Sequence, residues 1–263
     1  MLTALGCADM DGGRTRLPPA ANGRVIGELR IGTYNLRVGS AEPAKTVEVI
    51  RKMNADVIAL QEVRPTSAAM LSRELAGVYP YRHFSSGLGF LSRRPLLRPH
   101  FQKSVRGING WVSVEIDVHQ RLIQIVNLHL EPLMLQSLAD YASLPTRLQR
   151  QRSIQREELA HLLSHLKPET ATVVLGDFNR VDDYALDQLG KLGFVDSFAS
   201  VHPSPDQTAT LHFKMGGIPF GRRVDFIFHD HQFQTQESTA LQGHPSDHDA
   251  VVSRLFILEK EDR

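Results

Sequence analysis

The sequence predicts a layered α/β fold, and two patterns carry that prediction. Short apolar or alternating runs recur at strand length, and segments with helical spacing of apolar residues lie between them. A third observation sets the scale: 263 residues with 41% hydrophobic content can bury a substantial core, and no repeat of solenoid length divides it. Strands and helices are therefore expected to share one core.

Residues 8–27 are rich in Gly, Pro and Arg without periodicity and read as a tail. The domain is expected to span residues 28–258, with 259–263 as a C-terminal tail. Leu29–Leu36 is the first strand. Pro43–Met53 opens with a proline suited to a first helical turn, Asp56–Leu60 is the next apolar run, and a helix over Ser67–Ala76 follows Pro65. Trp111–Val118 alternates, and the polar pair His119-Gln120 before Leu122–Leu130 predicts a hairpin, hence antiparallel pairing. A helix ending at Lys167-Pro168 carries Leu159, Leu162, Leu163 and Leu166 as one stripe, with Arg147, Arg150, Arg152 and Arg156 upstream as a solvated face. Thr172–Leu175, Val224–Phe228 and Val251–Leu258 complete the strands.

Thirty basic against 29 acidic residues leave a net charge of +1, which excludes a protein that coats nucleic acid through global charge. The single cysteine, Cys7, excludes an internal disulfide and a Cys-rich zinc site, so a catalytic metal must be held by carboxylate, amide or imidazole groups. Ala4-Leu5-Gly6-Cys7 resembles the end of a bacterial lipoprotein signal, but the basic start and apolar stretch of such a signal are missing from the chain. A cytoplasmic location is the expectation. A membrane lipoprotein anchored through Cys7 is the alternative.

Several strands end in residues that a core does not explain: Thr33-Tyr34-Asn35, Gln61-Glu62, Asn127-Leu128-His129 and Gly176-Asp177-Phe178-Asn179. Two further places match them, Asp225 inside an apolar strand and Pro245-Ser246-Asp247-His248 just before the last one. Together they supply what metal-assisted hydrolysis of a phosphate ester requires: charge neutralisation on the non-bridging oxygens, an oriented water and a stabilised leaving group. Mg²⁺ takes hard oxygen ligands, and Glu62 suits it. Asp225 can orient His248, Asp177 can aim or deprotonate water, and Asn179 and His129 can donate hydrogen bonds to phosphoryl oxygens. The cluster His229-Asp230-His231 reads as a turn. His83, His100, His161, His165, His202 and His212 read as surface or structural residues.

In this order, Tyr34-Asn35, Leu60-Gln61-Glu62-Val63, Leu91-Ser92-Arg93, Asn127-Leu128-His129-Leu130, Gly176-Asp177-Phe178-Asn179, Arg223-Val224-Asp225-Phe226-Ile227 and Ser246-Asp247-His248 resemble the endonuclease/exonuclease/phosphatase, or DNase I-like, superfamily from about Glu28 to Leu258. The resemblance implies a four-layered α/β sandwich, with two mixed β-sheets face to face and helices outside. It also implies a metal held by Glu62 with help from Asn35 and Asp247, and a water and phosphate positioned by Asp177 and Asn179. His129 would lie near the scissile phosphate. Asp225 would pair with His248, acting as base or as a proton-bearing stabiliser. Relatives often carry Gly-Asn where this chain has Gly87-Leu88-Gly89-Phe90, a departure on the substrate side rather than at the metal centre.

The expected activity is a Mg²⁺-dependent phosphodiesterase, with Mn²⁺ as a substitute ion and nucleic acid as substrate. The alternative is a phospholipid or inositol-phosphate hydrolase, and a non-catalytic binding module stands last. Asn127, Arg180, Arg222 and Arg223 are the expected substrate contacts, with Lys214 nearby. The segment from Leu211 to Gly221, which carries Phe213, Met215, Ile218 and Phe220, can stack on bases, dip into a membrane or pack on the core. A monomer without an obligate protein partner is expected.

Overall fold

Two six-stranded mixed sheets face one another in the computed structural model, which describes residues 23–37, 42–133, 142–215, 217–242 and 245–259. Cys7, and with it the lipid-anchor alternative, lies outside the described residues. The first sheet holds β1 (Val25–Asn35), β2 (Val57–Gln61), β3 (Tyr81–Ser85), β4 (Leu88–Ser92), β13 (Phe233–Leu241) and β14 (Ala250–Leu258), in the order β13-β14-β1-β2-β4-β3. The second holds β5 (Leu97–Lys103), β6 (Gly110–Val118), β7 (Arg121–His129), β8 (Ala171–Asp177), β9 (Val195–Asp196) and β12 (Asp225–His229), in the order β5-β6-β7-β8-β12-β9. β10 (Leu211–Met215) and β11 (Ile218–Arg222) form a separate two-stranded ribbon.

Each sheet has one parallel pair, β1–β2 and β7–β8, and all its other pairs are antiparallel. A parallel pair needs a crossover, and here helices supply it: α1 (Pro43–Met53) between β1 and β2, α3 (Leu144–Leu163) between β7 and β8. α2 (Pro65–Glu74), α4 (Tyr184–Lys191) and the short α5 (Ser197–Val201) complete the α-helices among the described residues. α1 and α2 cover the first sheet through Ile50, Met53, Leu71 and Leu75, and α3 and α4 cover the second through Leu162 and Leu189. The predicted four layers follow.

Side chains on one face of a strand recur every second residue, so the space between the sheets is written in the odd positions. Leu29 and Ile31 lead to Thr33 and Asn35, Val57 and Ala59 to Gln61, Ile123 and Ile125 to Asn127 and His129, and Val173 and Leu175 to Asp177. In every strand of the two parallel pairs the sequence changes from aliphatic to polar towards the carboxyl end. Asn35 pairs in register with Gln61, His129 with Asp177, and Asp177 with Asp225 on antiparallel β12. The polar ends thereby gather at one rim of the sandwich, where open α/β sheets bind ligands.

Several boundaries differ from expectation. β1 begins at Val25, whose partner is Leu258, so residues 25–27 belong to the sheet rather than the tail. α2 starts at Pro65 and ends at Glu74. α3 stops at Leu163, short of Lys167-Pro168; Leu159 and Leu162 are buried while Leu163 and Leu166 are only partly so. The strands without a sequence signal are mostly edges, β3, β5, β9 and β13, where one side meets solvent and the hydrophobic alternation blurs. No described helix is long and apolar enough to cross a membrane.

The inward face of α3 is unusual in being half polar: Gln151, Gln155 and Glu158 are buried beside Ile154, Leu159 and Leu162. Glu158 Oε2 accepts the Glu131 N–H at 2.9 Å, and Glu131 Oε2 accepts that of Ile108 at 2.9 Å. Burial, with the Glu131 carboxylate adding to it, lifts Glu158 to about 7. A raised carboxyl holds its proton in the fold, so its contribution is complete below the usual range near 4.5 and is lost as pH climbs through about 7. Glu158→Gln should accordingly stabilise the protein by roughly 2 kcal/mol at pH 8 and by little at pH 4.5, read by urea unfolding. Equal effects at both pH values would contradict a buried carboxyl at this position.

Candidate active site

Asp177, at the last position of β8, is the hub of the polar rim. Its Oδ2 accepts the Asn35 amide at 2.9 Å and the Asn179 amide at 3.3 Å, and lies 3.4 Å from His129 Nε2 and 3.8 Å from His248 Nε2. Oδ1 accepts the Asn179 backbone N–H at 2.8 Å. A buried carboxylate is tolerable because this ring of donors replaces its water.

Asp225 and His248 form the second unit. His248 Nδ1 and Asp225 Oδ2 are 2.9 Å apart and both side chains are buried. Thr210 Oγ1 accepts the backbone N–H groups of Val224 and Asp225 at 3.0 Å each, which fixes the entry to β12. Ser246 Oγ donates to the Asn35 carbonyl at 2.7 Å and accepts the His248 N–H at 3.1 Å, tying the histidine loop to the end of β1.

Burial works against charge on His248, but Asp225 and Asp177 together outweigh it and lift the imidazole to about 10. Burial lifts Asp225 to about 6, against the pull of His248. At neutral pH the imidazole keeps its proton, because Asp177 adds a second negative charge beside it. His129 goes the other way. Burial outweighs Asp177 and Glu62 and holds it below its ordinary range, so it is neutral. The contribution of the His248 pair to stability is complete below about 6.5 and fades as pH rises through about 10. An NMR titration should find His248 cationic at pH 8, and Asp225→Asn should move its midpoint down by more than one pH unit, a shift of roughly 1.4 kcal/mol or more.

Glu62 follows β2 with φ 56°, and Asn179 follows β8 with φ 42°. Such left-handed conformations cost on the order of 1–3 kcal/mol each in residues other than Gly and concentrate at functional sites. Glu62 Oε1 accepts the Asn35 amide at 3.1 Å, so Asn35 links the carboxylates of Glu62 and Asp177.

The structure brings Asn35, Glu62, His129, Asp177, Asn179, Asp225 and His248 together at the rim. Asp247 is next to His248, with its carboxylate 3.3 Å from Arg37 Nε. Four expectations need correction. Asn35 turns its amide nitrogen to the carboxylates, while its Oδ1 accepts the Arg37 N–H at 2.9 Å, so it orients the carboxylates rather than offering an oxygen to metal. Asn127 is no substrate contact. It is fully buried one register row below the rim, donating to the Leu60 and Gly89 carbonyls at 2.9 and 3.0 Å and accepting from Gln61 at 2.7 Å, which bolts the two sheets together. Arg223 is buried on Asp196 at 2.6 Å and stacks over Phe226, which leaves it no role at a phosphate. Arg180 is held by Asp183 and Asp206. Arg222 alone of that group is exposed.

Thr210 carries no sequence signal, being a single hydroxyl in a loop, while Ser246 stands in the Ser246-Asp247-His248 motif without an expected role. His212, expected at the surface or in a structural role, meets buried Asp249 at 2.7 Å. The turn at His229-Asp230-His231 is a structural one: Asp230 accepts the backbone N–H groups of Thr172 and Gln232.

Among the described residues, Asp177, Asp225 and His248 form a group able to hold a metal ion, their ligand atoms lying within 4.8 Å of one another. The donors at the rim fit a hard divalent cation through their carboxylate oxygens. His248 is the poor member, since its Nδ1 is bonded to Asp225 and a protonated imidazole has no free lone pair.

Comparisons with known proteins agree with this geometry. No curated protein matches the chain in sequence. Among solved structures, an endonuclease/exonuclease/phosphatase from Beutenbergia cavernae superimposes with a TM-score of 0.68 at 19% identity, covering 89% of this chain and 72% of its own. D. rerio TDP2 complexed with a single-strand DNA product gives 0.67 at 16% identity, covering 87% of this chain and 99% of its own. SmcL gives 0.66 at 17% identity, covering 88% and 99%. At such identities the likeness establishes the fold. The family model for Endonuclease/Exonuclease/phosphatase matches residues 32–248, which span every polar strand end described above. The chain belongs to the endonuclease/exonuclease/phosphatase family of phosphoric ester hydrolases.

Proposed function

We propose that the chain is a divalent-metal-dependent phosphodiesterase that acts on nucleic acid. The observation that carries this reading is the pairing of opposites at one rim: a carboxylate, Asp177, lies between a neutral His129 and a cationic His248. Asp177 accepts the proton of the attacking water as the oxygen–phosphorus bond forms and the ester bond breaks. His248, charged and fixed by Asp225, and His129 through its N–H face the negative charge that grows on the phosphoryl oxygens. Glu62 and Asp247 would hold Mg²⁺, which supplies charge neutralisation at a non-bridging oxygen when bound.

The β10–β11 ribbon supports a polymeric substrate. Leu211 pairs with His248, so the ribbon rises directly from the site. Phe213 and Phe220 stack on one face with their rings 5.9 Å apart, and Arg222 shares that face by alternation. Bases can stack on such a surface while the arginine meets a phosphate. The exposed Ile218 on the same face favours a second reading, hydrolysis of a phospholipid at a membrane surface.

The test compares plasmid DNA, RNA and sphingomyelin vesicles as substrates, each with Mg²⁺ and with EDTA. Nucleic-acid cleavage that EDTA abolishes is the expected result. Activity that survives EDTA would exclude metal assistance, and hydrolysis confined to the vesicles would replace the nucleic-acid reading with the lipid one.

A further inference from the structure

We propose that the buried polar stripe of α3 is a positioning device for the hydrolytic site, with Gln151 and Gln155 setting the two strand exits that carry His129, Asp177 and Asn179. Three polar side chains at spacings of four and three residues occupy one helix face. On a face that covers a hydrophobic sheet, those places ordinarily hold aliphatic residues.

What they touch explains their presence. Gln155 Nε2 lies 2.8 Å from the Glu131 carbonyl, 3.0 Å from that of Asn179 and 3.4 Å from that of Phe178. An amide nitrogen has two hydrogens, so this one group joins the chain leaving β7 to the chain leaving β8. Gln151 Nε2 repeats the link, at 2.9 Å from the Glu131 carbonyl and 3.5 Å from that of Asn179. Glu158 takes the Glu131 N–H, so a single helix grips both backbone groups of Glu131.

The two exits also bind each other: Leu130 N–H donates to the Asp177 carbonyl at 3.0 Å, and the Asn179 amide donates to the Leu130 carbonyl at 3.0 Å. His129 lies two residues before Glu131, and Asn179 has the left-handed backbone that aims its amide at Asp177. Removing the glutamine donors leaves buried carbonyls without partners, and the exits then relax independently. The hydrogen bonds of Gln151 and Gln155 go to backbone carbonyls and not to the rim side chains. Both residues act through the backbone, which makes them positioning residues.

The inference rests on the hydrolase reading for its rate measurement alone. Gln155→Met keeps volume and removes the donor; Gln155→Leu removes it with a branched side chain of similar size. With Mg²⁺ and bis(p-nitrophenyl) phosphate as the probe, kcat should fall by about 10- to 100-fold in both, with KM nearly unchanged. In metal-free protein the NMR resonances of the Asn179 amide and the His129 ring should move, and that of Leu29 at the opposite end of the sandwich should not. A packing role would spare the Met variant, so wild-type rates and resonances in Gln155→Met overturn the proposal. If the wild type fails to hydrolyse the diester, the hydrolase reading is what falls, and the two resonances still decide on the positioning role. Should Gln155→Met not fold, Gln151→Met, which gives up one short bond, supports the same comparison.

Discussion

Asp177→Asn should lower the hydrolytic rate by about a thousand- to ten-thousand-fold, as expected when a positioned proton acceptor is lost together with the charge that organises its neighbours. The substitution is nearly isosteric, so the effect is electronic. In the native protein every hydrogen bond to this side chain comes from a donor: the Asn35 and Asn179 amides on Oδ2, the Asn179 backbone on Oδ1. An amide has one accepting end. Whichever way it turns, its NH₂ meets an N–H, and a buried donor is left without a partner at a cost of about 1–3 kcal/mol. His248 loses one of the three carboxylates that raise it, Asp225, Asp177 and Asp247, so its midpoint must drop. Initial rates on a phosphodiester with Mg²⁺, run beside an NMR titration of His248, measure both consequences. A variant within tenfold of the wild type would remove Asp177 from the chemical step.

Gly176→Ala has the largest expected effect on stability, on the order of 3–5 kcal/mol. Gly176 precedes the hub residue and has φ 141°, a region open only to glycine. A methyl group there would lie 2.0 Å from the Leu128 carbonyl oxygen, a backbone atom of the neighbouring parallel strand. A flexible side chain could move aside, but a ladder of hydrogen bonds cannot. The β7–β8 ladder would have to open where Leu128 faces Gly176, one step from the row that pairs His129 with Asp177. Thermal unfolding should show a loss of about 10 °C for a domain of this size, with activity falling further than stability alone explains. An unchanged melting temperature would mean that the two strands are not locked at this register.

Much of this was legible because strand alternation leaves its mark on sequence. Leu29, Ile31, Thr33 and Asn35 read from core to rim along a single strand, as do Ile123, Ile125, Asn127 and His129. The order of the motifs then placed the rims together. Depth was not legible. Asn35 and Asn127 are the same residue type near strand ends, yet one faces the carboxylates and the other joins the sheets a row below, a difference set by register between strands far apart in sequence. The arginines are a related case: Asp196 and Asp206, which hold Arg223 and Arg180, lie 27 and 26 residues away in sequence, and only Asp183 is local to Arg180. Gln151 and Gln155 lie among arginines on a helix whose outer side is solvated, and only the exits of β7 and β8 give them a buried face.

The path of the chain between the sheets has one further consequence, in time rather than in space. β1 to β4 build part of the first sheet, β5 to β9 and β12 build all of the second, and the chain then returns with β13 and β14. β14 is the neighbour of β1, and His248 stands two residues ahead of it. As a chain grows from the ribosome, β1 therefore waits as an open edge and Asp225 has no histidine, even after the second sheet is finished. Closing the seam between the earliest and the latest strands is thus the same step that brings the imidazole to its carboxylates.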